Sequence, residues 1–186
     1  MRRVSVLFIA VVVGLAVARG ARAQNYAHLV RSGQPNSYIM IGEGASAGET
    51  AAALMLRDYV EKLSGVVLPI YHDDDLQPHG RHVPISVGST RFLLPTVREE
   101  LALGRSLPAG DPGHDAFLVE KSPRTMVLVG HDDRGTANAV AAFLEKLGCK
   151  FSADGESATV VPAKQPTIPF PPGRTLAKPD AEFQRR

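Results

Sequence analysis

The stretch VLVGHDDRGTANAVAAFLEKLGCKF, residues 127–151, decides the fold. An apolar run ends at Gly130, and Gly135-Thr136 opens a segment with helical spacing. Ala137, Val140, Ala141, Leu144 and Leu147 fall on one face, and Gly148 closes it. The outline is close to strand–GxxxxGK[ST]–helix, the phosphate-binding loop, but the lysine that reaches the β- and γ-phosphates is missing. Asp132 and Asp133 would also meet a triphosphate with like charge. The residues read better as a strand end and an acid-capped helix. Asp132 or Asp133 offers a carboxylate to the free N–H groups and the positive end of the helix dipole.

Working outward, Ala116–Glu120 and Thr125–Val129 flank Lys121-Ser122-Pro123-Arg124, which is hairpin spacing. Residues 38–41, YIMI, form a short apolar run bounded by Gly42 and Gly44, as a buried strand does. After Ser46, a possible N-cap, Ala52, Ala53, Leu56, Val60 and Leu63 fall on one helical face, and Gly65 is the stop. Val66–Ile70 and Val83–Val87 are expected as strands. Residues 90–103 are expected as a short helix broken by Pro95, and residues 104–114 as loop. Phe151 and Val160-Val161 are candidate final strands. Two amphipathic helices with one apolar stripe each must cover one sheet. The expected class is α/β of the α+β kind, a two-layer sandwich with a mixed β-sheet under two main helices.

The ends have a different character. Residues 1–23 carry Arg2 and Arg3, an apolar run from Val4 to Ala18 and the small-x-small pattern Ala21-Arg22-Ala23. This is the pattern of a secretory signal peptide, cleaved after Ala23. The run is shorter than the roughly 20 residues that span a bilayer, so no lasting membrane anchor is expected. The expected location is secreted or periplasmic. The chain of 186 residues has 21 Lys+Arg and 19 Asp+Glu. Four arginines lie within residues 1–23, so the mature part has 17 basic against 19 acidic residues, a net of −2. With no basic patch interleaved with aromatics, nucleic acid is not an expected partner. Cys149 is the one cysteine and reads as a buried structural thiol. Residues 163–186 hold five of the 14 prolines and read as an extended connector, leaving residues 24–162 as the folded domain.

Chemistry is sparse. His72-Asp73-Asp74-Asp75 and His131-Asp132-Asp133 lack the spacing of an EF-hand, and no HExxH or paired-cysteine pattern occurs. They read as solvated turn residues, and neither metal nor cofactor is expected. Glu49, Asp58, Glu61 and Glu145 read as solvated helix faces. Ser, His and Asp occur without a GxSxG elbow. No pair of acids is marked for glycoside hydrolysis. No catalytic residue is assigned.

Two blocks carry a family resemblance. IMIGEGASAGETAAALMLRDYVEKLSGVVLPI resembles the opening β-α-β of the N-terminal domain of α-glucuronidases and hexosaminidase-like glycoside hydrolases. HDAFLVEKSPRTMVLVGHDDRGTANAVAAFLEKLGCKF resembles the second half of the same domain. Gly130, Asp132, Arg134, Gly135, Phe143, Leu144, Glu145, Gly148, Cys149 and Phe151 carry the second match, and the resemblance spans about residues 36–170. It implies a non-catalytic domain that precedes a TIM-barrel catalytic domain, with KPDAEFQRR as the lead into that barrel. Arg134 and Asp132 are then candidates for an inter-domain contact, against the plainer reading that Arg134 serves an acid or carbonyls of its own domain. The leading expectation is an exported accessory domain whose partner is the barrel. A stand-alone carbohydrate-binding module is the alternative, and it would need Tyr26, Tyr38 and Tyr71 clustered and exposed. An active glycosidase in this length is the third reading.

Overall fold

The computed structural model describes residues 27–75, 82–151 and 160–178. The expected signal peptide, its cleavage site, Tyr26 and most of KPDAEFQRR lie outside the described residues. The first strands are β1 (His28–Arg31), β2 (Gln34–Pro35) and β3 (Ser37–Ile41). Helix α1 (Ala47–Ser64) follows, then β4 (Ile70–His72), β5 (Val83–Val87) and the short α2 (Pro95–Glu100). A 3-10 turn at Pro112–Asp115 leads into β6 (Phe117–Lys121) and β7 (Met126–Gly130). Helix α3 (Asp133–Lys146), β8 (Ile168–Pro169) and β9 (Arg174–Ala177) complete the elements of the described residues.

Both long helices begin and end where local chemistry directs. Ser46 and Glu49 form a capping box on α1, satisfying two otherwise orphaned N–H groups. Gly65 takes the left-handed conformation at φ 78° and its N–H donates to Glu61, so the helix stops there. Asp132 caps α3, with Oδ1 accepting from the N–H of Arg134 at 2.9 Å and of Gly135 at 3.1 Å. Pro95 does not break a helix but starts one, occupying a first-turn position where its missing N–H costs nothing.

Six strands pair in the order β4-β3-β5-β7-β6-β9. The β4-β3-β5-β7 pairings are parallel, and β6 runs antiparallel to both β7 and β9. This is a mixed sheet. A second sheet, β2-β1-β8, is antiparallel. Alternate residues of β7 define the two faces of the main sheet. Met126 and Leu128 pack into the larger core with Ile39, Ile85, Leu56, Val60, Val140 and Phe143. Val129 and Val127 point the other way, into a smaller cluster with Leu93, Val97, Leu101 and Leu118. Helices α1 and α3 therefore cover one face, and α2 covers part of the other. The expected α+β sandwich is the observed class, with this partial third cover added.

Several details differ from the sequence reading. The strand expected at Val66–Ile70 lies later, at β4, because it must pair with β3 in the register Ile39↔Ile70. The hairpin strands sit one residue later than expected. The buried stripe of α3 is Thr136, Ala139, Val140, Phe143 and Leu144, not the expected set beginning at Ala137. Phe143 draws the helix round to bury its ring completely. The expected final strands reduce to a single bridge, Lys150↔Val160. Residues 163–178, read as a connector, instead supply β8 and β9, one to each sheet. Arg174 holds β9 in place through Glu100 and, at 3.1 Å, Glu120. Cys149 is buried and free, and burial pushes its thiol pKa up.

Candidate functional site

The carboxyl ends of parallel strands are where α/β sheets collect ligands and functional loops. Here that edge gathers the loops after β3, β4, β5 and β7, together with the first turns of α1 and α3. Three acids organise it.

Asp73, just past β4, is 5% exposed rather than the solvated turn residue expected. Its Oδ1 accepts the N–H of Glu43 at 2.9 Å, and its Oδ2 accepts the N–H of Arg91 at 2.5 Å. Burial pushes its pKa up, but these two backbone donors and the Arg91 charge outweigh that and hold it below the usual range. One side chain thus ties together the loops after β3, β4 and β5. Glu49 does the same from α1, and it too departs from the expected solvated face. Its Oε2 accepts from Ser46 N–H at 3.1 Å, and its Oε1 from Ser89 N–H at 2.6 Å. Ser46 also donates its hydroxyl to Asp133, joining the two helix N-termini.

Asp132 is the third. Beyond capping α3 it meets His114 Nδ1 at 2.6 Å through Oδ2. His114 Nε2 faces the Pro108 carbonyl at 3.2 Å. Both ring nitrogens therefore face acceptors, which only the imidazolium can satisfy by donating twice. The bond to Asp132 and the contact with Pro108 hold the His114 pKa above its ordinary value. Burial raises the Asp132 pKa, but His114 and the two backbone N–H groups bring it below the usual range. Next to this pair, the His131 ring donates from Nδ1 to Leu101 O at 2.8 Å. His131 also lines a cavity of about 210 Å³ with Leu101, Leu107, Gly113, Ala116 and Lys178.

Arg134 projects from α3 and pairs with Asp115 at 2.5 Å, while its side chain stays 70% exposed. The structure thus brings Asp132 and Arg134 to one corner, with His114 and Asp115 as their partners. His114 was not singled out from the sequence. Its spacing from Asp132 has no local signature, because the pair forms across the β6–β7 hairpin. The glycines at 130 and 135, which suggested a phosphate loop, have a packing reason. A Cβ on Gly130 would overlap the backbone of Gly135, and Gly135 lies against the Ala116 carbonyl.

In chemical terms, all six carboxylate oxygens of Glu49, Asp73 and Asp132 are engaged, five by backbone N–H groups, with one of these five also pairing with Arg91, and one by His114. Among the described residues no three His, Cys, Asp or Glu side chains are grouped to hold a metal ion. Tyr38 and Tyr71 meet edge to face, with ring centroids 5.6 Å apart, rather than forming a flat platform.

No protein-family model matches the chain, and no curated protein matches it. Solved structures do: 24 chains match in fold. One is a family GH115 4-O-methyl-α-glucuronidase with specificity for decorated arabinogalactans. It superposes with a TM-score of 0.50 at 21% identity, over 79% of this chain and 18% of that chain. This chain therefore spans under a fifth of that enzyme's length, and the fold it shares is one that occurs within a glycoside hydrolase.

Proposed function

We propose that this chain is an exported, non-catalytic accessory domain of a glycoside hydrolase-like protein, which packs against and supports a TIM-barrel catalytic domain. The observation that carries this reading is the use of the acids at the sheet edge. Glycoside hydrolysis needs two carboxyl groups facing a sugar across a cleft. Here the three organising acids are each committed to backbone N–H groups that fix loops. What those loops present is apolar. Phe92 is 61% exposed and Leu94 64% exposed, on a segment held by Glu49, Asp73 and the Arg98 guanidinium, which donates to Thr90 O at 2.7 Å. A rigid loop displaying two large apolar side chains suits a docking surface better than a reaction centre. The shared fold with part of an α-glucuronidase supports the same reading.

The test is direct. The purified chain, incubated with a panel of aryl glycosides and aryl glucuronides, should show no turnover above buffer. Turnover abolished by one carboxylate substitution would overturn the proposal. Export is tested by mass spectrometry of the protein made with its own residues 1–23, with Gln24 as the expected first residue.

A further inference from the structure

At the opposite edge of the sheet, the turn of the β6–β7 hairpin meets the loop that leads into β9. Between them lies a pocket of about 440 Å³ lined by Ala27, Lys121, Pro123, Arg124, Pro172 and Gly173. That volume suits a ligand of roughly monosaccharide size, at the small end of binding pockets.

Its charge is one-sided. Lys121 is half-buried, and its ammonium donates to the Ser122 carbonyl and lies 5.0 Å from the centroid of the Phe170 ring. An ammonium has three protons, so this carbonyl leaves donors unused. Arg124 is exposed on the adjacent turn. Among the described residues neither cation forms an ion pair. The nearby Glu120 is already engaged by Arg174 at 3.1 Å. Burial lowers the Lys121 pKa, and among the described residues no carboxylate restores it. A partly desolvated cation without a counter-charge is costly, and an anion entering the pocket would relieve that cost.

The walls narrow the choice of anion. Pro123, Pro172 and Ala27 offer apolar surface, which an inorganic ion would leave unused. The guanidinium fork matches a planar carboxylate. The frame is also rigid: Ser122 N–H closes the turn on Thr125 O at 2.9 Å, Lys121 N–H holds Gly173 O at 3.1 Å, and both prolines fix their φ angles. Little ordering would be required on binding.

We propose that this pocket binds a small organic carboxylate between Lys121 and Arg124, with its carbon body on the two prolines. The carbohydrate reading above bears only on whether that carboxylate belongs to an acidic sugar. The probes are a hexuronate, the matching neutral hexose, propionate and sulfate, each titrated against the ¹⁵N-labelled chain by NMR. The hexuronate should shift the amides of Lys121, Ser122, Arg124 and Gly173 saturably, with Kd on the order of millimolar. The neutral hexose should leave them in place. Arg124→Gln and Lys121→Met should each weaken the effect about 10-fold, the loss of one charge-assisted contact. Arg124 is exposed, so its variant keeps the test valid even if Lys121→Met fails to fold. Propionate binding as tightly as the hexuronate would uphold the site and assign it to carboxylates that are not sugars. Sulfate binding alone, hexose binding equal to hexuronate, or shifts that persist unchanged in Arg124→Gln would overturn the proposal.

Discussion

Gly130 and Gly135 are in backbone contact: a Cβ on Gly135 would lie 3.0 Å from the Gly130 Cα, and one on Gly130 would fall within the Gly135 backbone. The end of β7 and the first turn of α3 approach so closely that neither residue has room for a side chain. Gly130→Ala should therefore destabilise the fold by about 3 kcal/mol, the upper part of the range for overpacking. Urea denaturation of the purified variant checks this. A loss below about 0.5 kcal/mol would show that the contact yields easily. Gly44, whose Cβ would meet nothing within 4 Å, is the matched control.

Phe143 is fully buried under the sheet and is the largest of the completely enclosed side chains among the described residues. Phe143→Ala should cost about 3–5 kcal/mol, combining lost transfer energy with the cavity left behind. Leu147 at the end of the same helix is half-buried. Leu147→Ala should cost less than half as much. The two denaturation midpoints distinguish the observed stripe from the one that simple periodicity implies.

Asp73 serves three loops from a buried position. Asp73→Asn keeps the shape but replaces one acceptor oxygen with a donor group that faces an N–H. A destabilisation of about 2 kcal/mol is expected, with greater amide exchange at Glu43 and Arg91. The wild-type acid has a lowered pKa in the fold. Its contribution is therefore present above the ordinary carboxylate pKa of 3.8 and is lost as pH falls through the folded value. The variant should show a flatter acid limb in a stability-against-pH profile.

The His114–Asp132 pair titrates from both sides. The His114 pKa is raised in the fold, so its contribution is complete below the unfolded value of 6.5 and disappears as pH rises through the folded value. Asp132 is lowered, so its share is present above 3.8 and disappears on acidification. Urea midpoints from pH 5 to 9 should fall on the alkaline side in wild type and lose that slope in His114→Asn. Asp132→Ala should cost about 1 kcal/mol through the lost α3 cap and should also flatten the alkaline limb. An unchanged slope in both variants would mean that the pair does not form in solution.

Phe92 and Leu94 make the opposite prediction. They stand exposed on the loop after β5 while Leu93 between them is buried. The double variant Phe92→Ser, Leu94→Ser should change stability by less than about 0.5 kcal/mol in the isolated chain, as surface changes do. A loss above 1 kcal/mol would show that these residues pack within their own domain.

The main elements were legible because their determinants are local. Ser46, Gly65, the apolar run at 38–41 and the hairpin spacing around Pro123 each act over a few residues, and each appears in the structure. The stripe of α3 was misjudged by a residue because alanines populate most of its faces, so Phe143 alone decides the phase. Strands β1, β8 and β9 were illegible for a different reason. They are short, rich in proline or polar residues, and defined by partners far away, as when Ser32 N–H meets the Thr167 hydroxyl at 3.0 Å. The candidate site shows the same division. Asp132 was readable as a cap, but its bond to His114 was not, nor was the burial of Asp73 among three loops.

The amino-acid sequence by itself determined the Ser46 cap and Gly65 stop of α1, the acid cap of α3 and the presence of the central strands, since caps, glycine stops and apolar runs act within a turn or a strand. Tertiary structure decided what the acids hold, why the two glycines of the opening stretch are glycines, and where the proline-rich tail goes. Most of those outcomes depend on distances between residues from 18 to more than 100 positions apart, and the glycine pair on how closely a strand end meets a helix, which only the packed sheet and helices set.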